Sequence, residues 1–413
     1  MTSTASPTQA KPEKKSTDPI LSINFNQDAK FISVGHQEGY MFYKTLDILD
    51  SSNLHYEGEN ASTPFGNECV ILERLFSSAL MVVVSQREPR VMHIYNITNK
   101  KIICDHKFTQ SILSVRINRE RIVVCLEDCI YIYSLNDMKM MHNIQDTPPN
   151  PNGLIDLSTN TGESLLAYPG STENGAVHIF DAKSLSSVNT FVAHDGSLAA
   201  LKFNLAGTML ATASTKGTVI RVYSIPAGTR LFEFRRGMSR CVTIYSLAFS
   251  SDSAYLCSSS NTETIHVFKL DKTEEVEKKP EEVPEAAGWF DVINRTVSAY
   301  MPTQVTDLMT TERSFATARL PGVTKRNVVS IITNLNQNYV MVATSDGFVF
   351  TYRLDPNGGE LDLVKQHKIG PNAEGTCRGP MSPGGGTDAS KLHNQVPNVD
   401  DVEDFPPMSH PIG

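Results

Sequence analysis

The chain has 413 residues, 40% of them hydrophobic and 20% charged, with a formal net charge of -8. That apolar share is enough for a sizeable core, and the acidic balance excludes non-specific nucleic-acid binding, which needs a basic footprint. The seven cysteines form no C-x-x-C pair, and several lie in apolar runs. They read as buried thiols rather than a disulfide frame or a zinc site.

Residues 1–17 are polar and rich in Ser, Thr, Lys and Pro, a composition expected to be disordered. They contain no apolar h-region, so no secretory signal is expected. No apolar run in the chain approaches the length of a membrane span.

From residue 18 to 370, short alternating apolar strands recur between turn residues, an all-β pattern. One strand type repeats seven times: YMFYKT (40–45), VMHIYNI (91–97), IYIYSL (130–135), VHIFDA (177–182), IRVYSI (220–225), IHVFKL (265–270) and FVFTYRL (348–354). Its aromatics Tyr43, Tyr95, Tyr133, Phe180, Tyr223, Phe268 and Tyr352 are spaced by 52, 38, 47, 43, 45 and 84 residues. The usual spacing suits a four-stranded blade of about 40–45 residues. The 84 is one blade plus an insertion of about 40 residues. Seven copies predict a seven-bladed β-propeller of degenerate, WD-like repeats that lack the WD dipeptide.

The sharpest chemical feature is Phe234-Arg235-Arg236-Gly237 at the end of the strand LFEF. Adjacent side chains on a strand point to opposite sides, so the two arginines serve two pockets rather than one. A lone pair of this kind is also what a solvated sheet edge carries. The flanking segments supply what a phosphate monoester needs, namely hydroxyls, backbone N–H groups and cations. One candidate pocket takes Arg235 with Thr212, Ser214, Thr218 and Arg221. The other takes Arg236 with Ser260, Thr264 and His266. Alternation alone does not say which arginine faces which pocket. His266 also fits a structural strand histidine. His194, in AHDGSLAAL, fits either a structural role between blades or the wall of the first pocket.

The insertion opens with the charged run DKTEEVEKKPEEVPEAAG and continues WFDVINRTVSAYMP. On a helix, Trp289, Phe290, Ile293, Val297, Tyr300 and Met301 share one face. Over about 271–301 this reads as a flexible loop that dips Trp289, Phe290 and Ile293 into a bilayer surface. A helix packed on the propeller edge is the other reading. The stretch 371–413, rich in Gly, Pro, Asn and Asp, is expected to be a disordered tail. No phosphate loop, H-E-x-x-H or nucleophile elbow occurs, so neither an enzyme nor a cofactor is expected.

The run LFEFRRG, with KGTVIRVYSIP before it and SSNTETIHVFKL after it, resembles the PROPPIN family, the WIPI-type propellers of autophagy. NFNQD, ERLFSS, TPPNP and LAYPGS are similar to that family too, and the likeness spans residues 20 to 370. It implies binding of phosphatidylinositol 3-phosphate and phosphatidylinositol 3,5-bisphosphate at two sites flanking the Phe-Arg-Arg-Gly motif. By the family pattern, Gly217 joins Thr212, Ser214, Thr218, Arg221 and Arg235 at one site, and Arg236, Ser260, Thr264 and His266 line the other. Position 212 departs slightly, since serine is also usual there, but a hydroxyl is kept. The resemblance further implies a membrane-inserting loop in the sixth blade. It implies a scaffold on forming autophagosomes and endosomal membranes that recruits the ubiquitin-like lipid-conjugation machinery. Arg119 matches a basic position that such members use to hold that machinery. The alternative is a WD-repeat protein scaffold without lipid specificity.

Overall fold

A strand whose two faces are both apolar must be covered on both sides, and most second and third strands of this chain are of that kind. In the computed structural model they are covered by radial stacking. The structure describes residues 20–51, 54–59, 63–160, 162–237, 241–271 and 313–373, together with the backbone of Cys377–Arg378. Seven antiparallel sheets span residues 20–59, 69–107, 114–144, 156–194, 198–235, 244–319 and 327–368. We number them blades 1 to 7. Within each, the four strands follow one another in chain order from the inside outward, so the seven-bladed expectation holds.

The core is divided by the blade interfaces. Seven apolar clusters occur, and each joins two neighbouring blades, closing the ring from 1 to 7 and back to 1. The aromatics that marked the repeat, Tyr43, Tyr95, Tyr133, Phe180, Tyr223, Phe268 and Tyr352, are all buried in these clusters. At ring closure the side chains of blades 7 and 1 pack directly on one another. Ile20, Val34 and Met41 of blade 1 pack on Val328, Met341 and Ile369. The Gly370 N–H donates to the Tyr43 hydroxyl at 3.0 Å, and burial pushes that hydroxyl up to about 12.

A polar clip recurs between alternate blades. Asn26, Asn118 and Asn204 are buried and follow the innermost strands of blades 1, 3 and 5. Each Oδ1 accepts a backbone N–H from its own blade, from Phe31, Arg121 and Met209 respectively. Each Nδ2 donates to the next blade, at the Phe76 carbonyl, the Ser158 carbonyl and the Ser253 hydroxyl.

Two details differ from the sequence reading. A short helix, Thr45–Asp50, sits between the third and fourth strands of blade 1. From residue 371 only disorder was expected, yet Cys377–Arg378 adds a short parallel strand to the outer edge of blade 1, opposite His55 and Tyr56. The insertion enters between Thr264–Lys269 and Ala316–Arg319 of blade 6. Trp289, Phe290 and Ile293 lie outside the described residues.

Asn118→Ala removes the acceptor for Arg121 N–H and the donor to Ser158 carbonyl, leaving buried groups unmatched. It should cost about 1–3 kcal/mol, read as a lower midpoint in urea unfolding.

Candidate functional site

The site is built by the parity of blade 5. Its strands are Leu198–Phe203, Met209–Ser214, Val219–Ser224 and Thr229–Arg235. Ala211, Ala213, Ile220, Val222 and Phe234 all pack in the cluster shared with blade 6. Side chains alternate along a strand, so Thr212, Ser214, Arg221, Glu233 and Arg235 face blade 4. Register agrees, since Thr212 pairs with Arg221, Arg221 with Glu233, and Val219 with Arg235.

On that face the polar groups meet the end of the outer strand of blade 4, Ser186–His194. His194 Nε2 lies 2.9 Å from Thr212 Oγ1. Arg221 donates through Nη1 to the Ala193 carbonyl at 2.6 Å and through Nε to Glu233 Oε2 at 2.7 Å. Arg230 donates to the same Glu233 oxygen at 2.8 Å. Thr218 and Gly217 form the turn at the edge of this face, where Gly217 N–H donates to the Ser214 carbonyl at 2.9 Å and Arg236 N–H to the Thr218 carbonyl at 3.0 Å. The first candidate group is therefore gathered between blades 4 and 5, His194 included.

The second group is gathered between blades 5 and 6. In blade 6, Leu256 and Phe268 pack toward blade 5, while Cys257, Ile265 and Val267 pack toward blade 7. By the same alternation Ser258, Ser260, Thr264 and His266 face blade 5. Arg236 shares the parity of Phe234 and points toward them. Its Nη2 donates to Ser260 Oγ at 2.7 Å and also to Thr262 Oγ1. Ser258 Oγ and His266 Nδ1 are buried there without a hydrogen-bond partner. Orphaned buried polar atoms are uncommon in native folds, and here they sit beside a guanidinium on the face where an anion could satisfy them. Thr262, Ser258 and Glu233 were not singled out from the sequence. Thr262 lay inside the hydroxyl run around Ser260, and only the fold shows that Arg236 reaches it.

Burial first, and the Arg221 charge second, push His194 down to about 4; burial and then Arg236 do the same to His266. Both rings are neutral at pH 7 and can each donate one hydrogen bond and accept another. Among the described residues no group of three His, Cys, Asp or Glu could hold a metal ion, and no helix is long and apolar enough to cross a membrane.

The two glycines of these segments differ. Gly217 has φ +63°, and a Cβ there would lie 2.0 Å from the Val242 carbonyl oxygen. Its role is to let the start of blade 6 close on the turn. At Gly237 a Cβ would meet nothing within 4 Å. Its φ lies outside the left-handed region, so the backbone there does not demand glycine. Arg119 lies elsewhere, on blade 3, with its guanidinium 4.4 Å from the centre of the Phe76 ring.

Comparison with known proteins places this chain in a wider group. The family model described as PROPPIN matches residues 20–370. The chain is 64% identical over 406 residues to Autophagy-related protein 18 of Caenorhabditis elegans, covering 97% of this chain and 98% of that protein. It is 45% identical over 358 residues to WD repeat domain phosphoinositide-interacting protein 2 of Mus musculus, covering 86% and 79%. Among solved structures, Kluyveromyces lactis Hsv2 superposes with a TM-score of 0.65 at 20% identity, covering 86% of this chain and all of that one.

Two outcomes follow from this geometry. Gly217→Ala should cost about 1–3 kcal/mol through forced strain, whereas Gly237→Ala should leave the thermal midpoint nearly unchanged. The histidines set a pH dependence. An unfolded imidazole takes a proton near 6.5, while these stay neutral down to about 4. Unfolding therefore absorbs protons within that window, and the fold loses stability as pH falls through it, by up to about 1.4 kcal/mol per pH unit for each ring. In thermal unfolding between pH 7 and 5, His194→Gln should flatten the fall of the midpoint.

Proposed function

The chain belongs to the PROPPIN family, and from that premise we propose that its blade 4–6 rim is a double receptor for phosphoinositide head groups. The carrying observation is the divergence of Arg235 and Arg236. The first shares a face with His194, Thr212, Ser214 and Arg221, and the second reaches Ser260 and Thr262 beside His266. Each pocket offers one or two guanidinium groups, hydroxyls and a neutral imidazole to a phosphate monoester.

The proposed ligands are phosphatidylinositol 3-phosphate and phosphatidylinositol 3,5-bisphosphate. A single exposed head-group pocket binds weakly. Two pockets held rigidly on either side of one strand raise avidity by roughly 10²–10⁴ when both engage one bilayer. The insertion leaves blade 6 directly after the strand that carries Thr264 and His266, next to the second pocket. Its proposed role is to add apolar contact through Trp289, Phe290 and Ile293. The protein is proposed to act as a peripheral scaffold on autophagosomal and endosomal membranes. Arg119, on blade 3 and away from the lipid-facing rim, is the proposed contact for the ubiquitin-like lipid-conjugation machinery.

Flotation with vesicles containing 3-phosphorylated lipid tests the reading. Arg235→Thr combined with Arg236→Thr should abolish binding while the thermal midpoint is kept. Each single variant should retain one pocket and bind about a hundredfold more weakly. Unchanged flotation of the double variant would remove the proposal and leave a lipid-independent protein scaffold.

A further inference from the structure

The seven innermost strands surround an axial cavity of about 420 Å³, within the range of roughly 300–1,000 Å³ found for small-molecule sites. Six charged side chains line it: Asp28, Glu73, Arg116, Asp156, Lys202 and Arg326. The signs balance in number but not in display. Glu73 and Asp156 are sunk in the wall, with side chains 8% and 3% exposed, while those of Arg116 and Lys202 are 33% and 41% exposed. Arg326 is exposed as well.

The wall carboxylates are also hydrogen-bonded and ion-paired. Glu73 accepts from Asn24 at 3.2 Å and from Arg116 at 2.8 Å. Asp156 accepts from the Phe203 N–H at 2.7 Å and from Lys202 at 3.1 Å, with Arg116 Nε at 3.7 Å. Asp28 lies in the turn after the first strand of blade 1 and pairs with Lys30 at 3.2 Å. Arg326 precedes the first strand of blade 7. The innermost strands of a propeller run the same way along its axis, so Asp28 and Arg326 stand at opposite mouths. Among the described residues no carboxylate is paired with Arg326. The cavity wall strips part of the water from its guanidinium, which also feels the like charge of Arg116, and both effects lower its pKa. Two cations brought together inside a low-dielectric wall repel, unless an anion lies between them.

We propose that the Arg326 mouth of the axial cavity is a binding site for a small soluble oligophosphate, held by Arg326, Arg116 and Lys202 and separate from the rim pockets. The ligand is soluble because the cations point into a lumen enclosed by seven blades, whereas the rim pockets open at the outer ends of blades 4 to 6. In a chain of net charge -8, this lumen is a local exception, with its negative groups covered and its positive groups offered to solvent.

Calorimetric titration with tripolyphosphate tests the site. The probe is added to the full chain carrying Arg235→Thr and Arg236→Thr, so that the rim pockets are silent. One equivalent should bind, and adding Arg326→Gln should weaken it about tenfold or more. Among the described residues the Arg326 side chain has no carboxylate partner to lose, so that variant should keep the wild-type thermal midpoint. The same comparison of Arg326→Gln with the otherwise unaltered chain guards against a rim variant that folds poorly. Saturating the unaltered chain with vesicles of 3-phosphorylated lipid should leave the axial equivalent in place. Absence of binding in the silent background, equal affinity in Arg326→Gln, or full displacement by the vesicles would each overturn the site.

Discussion

Phe234 is 1% exposed between blades 5 and 6, stacked on Phe268 with ring centroids 4.7 Å apart. Its burial fixes which way its neighbours point. Covering such a ring is worth about 1.5–3 kcal/mol, and a one-residue slip would expel it and bury an arginine instead. The register of strand Thr229–Arg235 is therefore held by hydrophobic burial, and the polar chemistry follows from it. Glu233 and Arg235 must face blade 4, and Arg236 must face blade 6. One buried ring thus serves as the partition between two anion-seeking surfaces.

The two surfaces are not copies. On the blade 4 side Arg221 and Arg230 already share the carboxylate of Glu233, so part of the positive charge is neutralised and the guanidinium of Arg221 is held in one orientation. On the blade 6 side Arg236 donates to the Ser260 and Thr262 hydroxyls, and orphaned Ser258 and His266 atoms lie near it. Both surfaces keep a histidine neutral next to an arginine. A phosphate dianion entering either one would relieve the repulsion between imidazolium and guanidinium, so head-group binding and proton uptake are coupled in sign.

The blade count was legible because each third strand carries an aromatic that must be buried at a blade interface, so Tyr43 through Tyr352 mark the period directly. The grouping of Thr212, Ser214, Arg221, Ser260, Thr264 and His266 was legible for a similar reason, since strand alternation is local. The assignment of each arginine to its side was not. It depends on whether Phe234 packs toward blade 4 or blade 6, which is a contact between distant segments. Glu233 was not legible because its partner Arg221 lies 12 positions away on another strand. The asparagine clips were hidden by their ordinary turn context. The axial charges were hidden because Glu73, Arg116, Asp156 and Lys202 come from four different blades.

The central claim is that one strand feeds two pockets on opposite faces. A crystal structure of the chain with a soluble inositol 1,3-bisphosphate tests it most directly. The account predicts two bound head groups, one against His194, Thr212 and Arg235, the other against Ser260, His266 and Arg236, with Phe234 between them. A single head group contacted by both guanidinium groups would contradict it.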